Sequence, residues 1–545
     1  MRLSILVLVV VLGACSAPSE SSPDSTAGTT DMSPSVVALP VPSTDTFPTV
    51  DQEVPDNQSS GLVCWSAPVE PGSGEIAFED VTEPYGLVEP LTGMYGHAAA
   101  FGDLNGDAHP DLVVGTFADR PTEEYAIRGA DGPTPDRVLL GGESYRPLEF
   151  DTPAGRTSGS VLADLDGDGD SDLVLVRNGE EPPASVIFAN RDGKLEAVAE
   201  PFPVPFNGRT PAVADFDGDG LLDLYVSEDR YGGMGGVLLR NEGSFRFTDV
   251  TEGSGLGGVF ALGATAADLD RDGIPDLVTS DRIFFGNGNA TFEEWTPETL
   301  GWEQVGPDDD PAGVATGDYD NDGLLDVVIG QHYRSIVEEG AEVPVRLFRN
   351  LGDRVFEEVT QTVGLLPLPT LAPHVEFADI DNDGWLDIVA SGSVGERAAP
   401  IVLVNREGAF ELPEGLGTPH YWVGAPVADV DLDGRLDVFG LEWEPSLPSR
   451  LFRNVTPGGH WLQVSVADPV GGVGSAVEVF ANDGALLGYR EIGAASGYSS
   501  GKPAVAHFGL GDVDVVSVVI TTRAGETVTI DDVQADVHLR WPDGC

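Results

Sequence analysis

Asp318, Asp320, Asp322 and Asp326 stand at positions 1, 3, 5 and 9 of the stretch DYDNDGLLD, with Gly323 at position 6. Carboxylates at alternate positions of a tight loop aim several oxygens at one point. Glycine at position 6 permits the left-handed backbone that turns the chain back. A ligand set of hard oxygens, without His or Cys, selects Ca²⁺ over transition metals. Mg²⁺ prefers fewer protein ligands and retained waters, so it fits less well. The loop is not a helical EF-hand, which needs Glu at position 12; here that position is apolar, as at Val114 and Val226.

The stretch recurs seven times, which weighs against the plain reading of a solvated acidic turn. Loop 1 holds Asp103, Asn105, Asp107 and Asp111; loop 2, Asp164, Asp166, Asp168 and Asp172; loop 3, Asp215, Asp217, Asp219 and Asp223; loop 4, Asp268, Asp270, Asp272 and Asp276. Loop 5 is the one above. Loop 6 holds Asp379, Asp381, Asp383 and Asp387, and loop 7, Asp429, Asp431, Asp433 and Asp437. Without a cation such carboxylates repel one another. The expectation is up to seven structural Ca²⁺ sites, with affinities of roughly 10⁻⁴–10⁻³ M suited to extracellular calcium. Loop 1, where Asn105 and Ala108 replace Asp and Gly, should be weakest.

Loops spaced 50–61 residues apart imply one supersecondary unit per copy. Each unit reads as four short β-branched or aromatic runs broken by Asn and Gly, hence antiparallel strands. Seven four-stranded units predict an all-β fold, a seven-bladed β-propeller. Residues 76–82 read as a fourth strand with no third before it, and 450–455 as a third with no fourth after it. The two should complete one blade and close the ring, removing both sheet edges. The alternating strands and glycine turns of 460–541 predict a small additional β-domain.

With 91 acidic and 28 basic side chains the formal charge is −63, a surface that repels nucleic acid and anionic lipid. The apolar run Leu3–Leu12 after Arg2 has the layout of a secretory signal and is short for a membrane span. LGAC at 12–15 resembles a bacterial lipobox, with Cys15 the lipidated residue. Residues 1–14 are then signal peptide, and 15–73, rich in Ser, Pro, Thr and Asp in its first part, a disordered tether. The expected place is extracytoplasmic, lipid-anchored at the cell surface or in the periplasm, as a monomer touching membrane only through its lipid. Cys64 and Cys545 would form a disulfide in an oxidising compartment.

Catalytic constellations are few. His97, Arg209 and His374 fall on inner strands, where they read as channel filling rather than as a site. Glu442, Trp443 and Glu444 place two carboxylates beside an aromatic, a pattern a glycosidase could use. No nucleophile elbow or phosphate loop appears.

The loops resemble FG-GAP/VCBS repeats, the calcium-bearing blades of integrin α-like propellers, over roughly 76–455. GVGSAVEV, ASGYSS and HFGLG resemble the ASPIC/UnbV domain, although TTRAGETV (521–528) departs from that family's Trp-Pro-Ser-Gly-like stretch. The combination looks like the cartilage acidic protein family and its bacterial relatives. It implies a propeller at 74–455, an ASPIC/UnbV-like domain at 456–545 and an extracellular calcium-binding protein. The expected function is a binding or adhesion scaffold for an extracellular protein or glycan, with 116–136 and 331–344 as recognition loops. Alternatives are a carbohydrate-active enzyme on the same scaffold or a purely structural envelope component.

Overall fold

The computed structural model describes residues 62–178, 184–229, 233–295, 309–333, 345–368, 371–394, 399–412, 420–467, 472–542 and 544. The signal-like segment, Cys15, most of the 331–344 insertion and Cys545 lie outside the described residues. No helix among the described residues is long and apolar enough to cross a membrane.

Seven sheets of antiparallel strands follow one another along the chain. Blade 3 shows the plan: Gly208–Ala214, Asp223–Glu228, Val237–Asn241 and Phe247–Asp249 pair in sequence order. The inner strands of blades 1 and 2 are Gly96–Gly102 and Thr157–Ala163. Those of blades 4 to 7 are Ala264–Ala267, Asp309–Gly317, Val375–Ala378 and Trp422–Gly424. Each acidic loop is the turn between the first and second strands of its blade. All seven loops therefore lie at the same end of their blades.

Inner and second strands are buried nearly throughout, as at Leu173, Val174 and Leu175. Both of their faces meet a neighbouring blade, so the apolar runs are continuous rather than alternating. Successive blades pack together, and blade 7 returns against blade 1. Phe78–Asp80 pairs antiparallel with Arg450–Asn454, in register Phe78 with Asn454 and Asp80 with Phe452. Val81, 4% exposed, lies in the core shared by blades 1 and 7. The two orphan strands of the sequence complete one blade.

The C-terminal region forms two four-stranded sheets. Val464, Phe508 and Leu539 of one share a buried core with Val477, Val518 and Ile520 of the other. One expectation needs correction. Residues 15–73 read as tether throughout, yet Val63–Ser66 is an edge strand of this domain, paired with Val537–Trp541. Trp65 packs on His538 at 3.9 Å between ring centroids, and Leu62 and Val63 cover the core. The Ser/Pro-rich composition ends before this short apolar run, which is too brief to show a period. Cys64, on that strand, is disulfide-bonded.

The segment between the domain's two sheets enters the propeller channel. Its short strands Ala495–Ser496 and Ser500–Gly501 pair with each other, and Ser500 and Gly501 lie parallel to Ala99 and Ala100 of blade 1. Gly497 exchanges backbone hydrogen bonds with Val314 of blade 5 at 3.0 and 3.2 Å. Ser499 N donates to Thr210 Oγ1 in blade 3 (3.1 Å), and Thr265 Oγ1 in blade 4 donates to Ala495 O (3.2 Å). This hairpin is a plug.

Removing residues 76–82 should lower the melting temperature and give oligomers by light scattering, because a long apolar strand edge is uncovered. A monomer melting like the wild type would show that this strand does not hold the ring closed.

Candidate metal centre

Each loop is built around its position-9 carboxylate. In loop 2, Asp172 Oδ2 accepts the N–H of Leu165 at position 2 (2.9 Å), and Oδ1 accepts that of Asn190 at the end of the third strand (2.9 Å). The same pair of bonds recurs in all seven loops, from Leu104 and Gly141 on Asp111 to Val430 and Asn454 on Asp437. The intermediate loops follow suit. These seven aspartates are almost wholly buried. Burial is the main cause that raises their pKa, to about 7 at Asp111 and Asp172 and about 8 at Asp223 and Asp276.

The position-1 carboxylate holds the turn. Asp164 accepts the N–H groups of Gly167 (2.8 Å) and Gly169 (2.7 Å). Position 6 is left-handed in every loop: φ is +97° at Gly169, +87° at Gly323 and +69° at Ala108. Position 4 is left-handed as well, at Gly106, Gly167 and Gly218 but also at Arg271, Asn321, Asn382 and Leu432. Only position 6 was foreseen. The signal for position 4 was present, since Gly or Asn occupies it in five of seven loops.

Positions 1, 3 and 9 converge. One oxygen from each of Asp164, Asp166 and Asp172 lies within 4.8 Å of the others, and the corresponding triads of loops 3, 4, 5 and 6 do the same. The position-5 carboxylates stand outside these triads. Asp168 and Asp383 pair instead with arginines at the end of the third strand: Arg191, just after it in blade 2, bridges Asp166 (2.6 Å) and Asp168 (2.7 Å), and Arg406, its last residue in blade 6, bridges Asp381 (2.7 Å) and Asp383 (2.6 Å).

These arginines take the outer oxygen of position 3. The inner one, Oδ1 of Asp166, Asp270, Asp320, Asp381 and Asp431, is buried with no hydrogen-bond partner. A buried carboxylate oxygen without a donor is costly, and a cation held by the triad would satisfy it. The donor set therefore fits a hard cation in these loops. Loop 1 differs: Asn105 Oδ1 accepts Asp107 N–H (3.0 Å) and Nδ2 donates to Asp107 Oδ2 (3.0 Å), so the side chain serves the loop itself.

The third-strand asparagines were not singled out from sequence. Asn190, Asn241, Asn350, Asn405 and Asn454 each donate Nδ2 to the position-2 carbonyl of the preceding blade's loop, at 2.7–2.8 Å. Because their own N–H groups bind position 9, each joins two neighbouring loops. The repeated endings FAN, LRN, FRN and VNR carried that signal.

His97, Arg209 and His374 do line the channel, around Tyr498 of the plug. His374 Nδ1 accepts Tyr498 N–H (3.2 Å), His97 Nε2 lies 3.4 Å from Tyr498 Oη, and Arg209 Nε donates to Asp229 (2.6 Å). His97 stacks on Phe117 at 4.1 Å, and burial lowers its pKa. Glu442 lies 2.6 Å from His420, and Glu444 pairs with Arg128 at 2.6 Å. Each carboxylate of that pair is thus committed to its own basic partner. The 116–136 insertion carries a short helix, Thr122–Ile127, with Tyr125 buried against Tyr95.

Ala108→Gly should stabilise the protein by about 1 kcal/mol, and Gly169→Ala should destabilise it by a similar amount, because an L side chain is disfavoured at that φ. Urea unfolding measures both; shifts of the same sign would contradict the left-handed assignment.

FG-GAP-like repeats match residues 164–226, 279–329 and 336–390, and an ASPIC and UnbV domain matches 468–544. Mouse cartilage acidic protein 1 is 27% identical over 429 residues, 69% of this chain and 62% of that protein; for the human protein the figures are 27%, 69% and 61%. The match thus spans about three fifths of these relatives. Among solved structures, that of rhamnogalacturonan lyase YesW aligns with a TM-score of 0.37 at 14% identity, over 74% of this chain and 76% of that one. Its FG-GAP-like repeats and the ASPIC and UnbV domain that follows them make this chain a homologue of cartilage acidic protein 1.

Proposed function

We propose that the protein is a calcium-stabilised binding scaffold of the extracellular space, presenting a rigid propeller to a protein or glycan. The observation that carries the calcium part is the buried, partnerless position-3 oxygen in five loops. Bound Ca²⁺ would supply positive charge at the point where positions 1, 3 and 9 converge, and would join the first two strands of each blade. The chain supplies the rest. Position 1 shapes the turn, position 9 fixes the loop to the third strand, and the asparagines carry the constraint to the next blade. Loop 1 is the weakest site in this reading.

The scaffold part draws support from the homology to cartilage acidic protein 1 and from the commitment of His97, Arg209, Glu442 and Glu444 to internal partners. The extracellular place draws on the same homology and on the disulfide at Cys64. The strand bearing Cys64 pairs with Val537–Trp541, which ends four residues before Cys545 in the sequence, and this supports Cys545 as its partner. Lipidation at Cys15 would anchor the protein through its tether. Cys15→Ser should then move it from the membrane to the soluble fraction, and a wild-type protein already soluble would refute the anchor.

Calcium should raise the melting temperature of the propeller, and a chelator should lower it, because an ion bound only by the folded state stabilises that state. Metal-free protein should also respond to pH. The position-9 carboxyls titrate higher when folded, about 7 to 8 in loops 1 to 4, than the ordinary carboxylate does. The folded chain therefore binds protons more tightly than the unfolded one. This contribution is complete below pH 4 and is lost as pH rises through 7 to 8. Chelated protein should melt higher at pH 5.5 than at pH 8.5, and calcium should shrink the difference. Equal melting with calcium and with chelator at pH 8.5 would overturn the reading.

A further inference from the structure

The C-terminal domain covers the loop-bearing face of the propeller unevenly. Arg523 pairs with Asp215 of loop 3, and Glu491 accepts Asp268 N–H of loop 4 (2.8 Å). Gly511 N donates to Asn382 O of loop 6 (2.9 Å), and Gln463 Nε2 to Asp429 of loop 7 (2.9 Å). Among the described residues no such bond reaches loops 1 and 2. A cavity of about 360 Å³ lies between the domain and the propeller, lined by residues of loops 1, 2, 6 and 7 and by Gly493, Ala495 and Ser496 at the base of the plug.

Its wall carries the acidic-loop carboxylates Asp103, Asp164, Asp170, Asp379 and Asp429, and at its inner end a mixed group of Arg490, Lys502, Glu376 and Glu491. Bound calcium would offset the charge of the loop carboxylates in the loaded protein. Pairing within the mixed group is incomplete. Among the described residues Lys502 Nζ makes no hydrogen bond and no ion pair within 4.0 Å. Arg490 is 8% exposed; its Nη1 reaches only the carbonyl of Tyr489 (2.9 Å), and its Nε has no partner. Burial pulls both cations below their ordinary range. Glu376 is 3% exposed, and its Oε2 has no hydrogen-bond partner, His374 Nε2 lying 3.4 Å away outside hydrogen-bond geometry. Glu491 is engaged through Asp268 N–H.

The wall therefore offers donors that lack an acceptor and an acceptor that lacks a donor. The buried Arg490 and the half-buried Lys502 call for an anionic oxygen, and the Glu376 oxygen calls for a hydroxyl or amine hydrogen. The volume falls within the roughly 300–1,000 Å³ usual for small-molecule sites, and the position between two domains is a frequent one for them. Trp65, whose ring packs on His538, also lines the cavity and adds an aromatic edge to it. A hydroxylated carboxylate answers all of these features.

We propose that this cavity binds a sugar acid, free or as the end unit of a glycan, with its carboxylate on Arg490 and Lys502 and a hydroxyl donating to Glu376. The proposal rests on the binding-scaffold reading and names its ligand class. The test is calorimetric titration of the calcium-loaded full chain with glucuronate, and with glucose as the neutral control. Glucuronate should bind saturably and at least about tenfold more tightly than glucose, since a charge-assisted contact is worth that much. Lys502→Met, which keeps the stem and removes the charge, should weaken glucuronate by at least about tenfold, and Lys502→Arg should restore most of the loss. If Lys502→Met does not fold, as judged by its melt, the comparison of glucuronate with glucose on the wild type decides. No saturable heat, equal affinity for glucuronate and glucose, or a folded Lys502→Met variant that binds like the wild type would overturn the proposal. A failure here alongside an intact calcium-dependent melt would remove the sugar-acid site and leave the scaffold standing.

Discussion

Seven buried aspartates, one per blade, accept backbone hydrogen from two directions, and the rest of the structure depends on them. Such a carboxylate would be costly to bury alone. Here each is hydrogen-bonded to its own loop and to the third strand of its blade. The loop is thereby fixed to the sheet whether or not a cation is present. Convergence of positions 1 and 3 on the same point then follows from the loop's geometry. In five of the seven blades the donor of the second bond is an asparagine whose side chain also grips the previous loop. What looks like a set of separate sites is thus linked in two runs, loops 1 to 3 and loops 4 to 7.

Much of this was legible in the sequence because repetition amplifies a weak signal. One acidic nonapeptide says little, whereas seven in register with a glycine at position 6 imply a turn, a strand on either side and a blade. Ring closure by Phe78–Asp80 could be read because a fourth strand without a third is an anomaly in a strict repeat. The role of the asparagines was not read, although FRN and LRN recur, because a side chain that reaches the neighbouring blade leaves no periodic trace within its own. The strand Val63–Ser66 was missed for a related reason. Four residues whose partner lies more than 470 positions away cannot announce their pairing.

The plug was also invisible in sequence. ASGYSS carries two small side chains before Gly497 and two after Tyr498, and small residues are what a narrow channel admits. A side chain on Gly497 would meet the His374 ring, and one on Gly501 would press on Ala100 of blade 1. Apart from the Tyr498 ring, backbone makes the contacts, and the C-terminal domain is seated on the same face that carries the acidic loops. Charge at those loops and the seating of that domain are physically coupled, since Asp215 and Asp429 hydrogen-bond to both.

The central claim is that the converging triads are cation sites for a hard ion. Its most direct measurement is the metal content of the natively purified protein after dialysis against buffer with millimolar calcium, read by mass spectrometry with protein concentration determined in parallel. The account predicts at least five calcium ions per chain, one for each loop whose position-3 oxygen lacks a partner, and little zinc, iron or copper. Fewer than two calcium ions per chain, or a transition metal in their place, would contradict it.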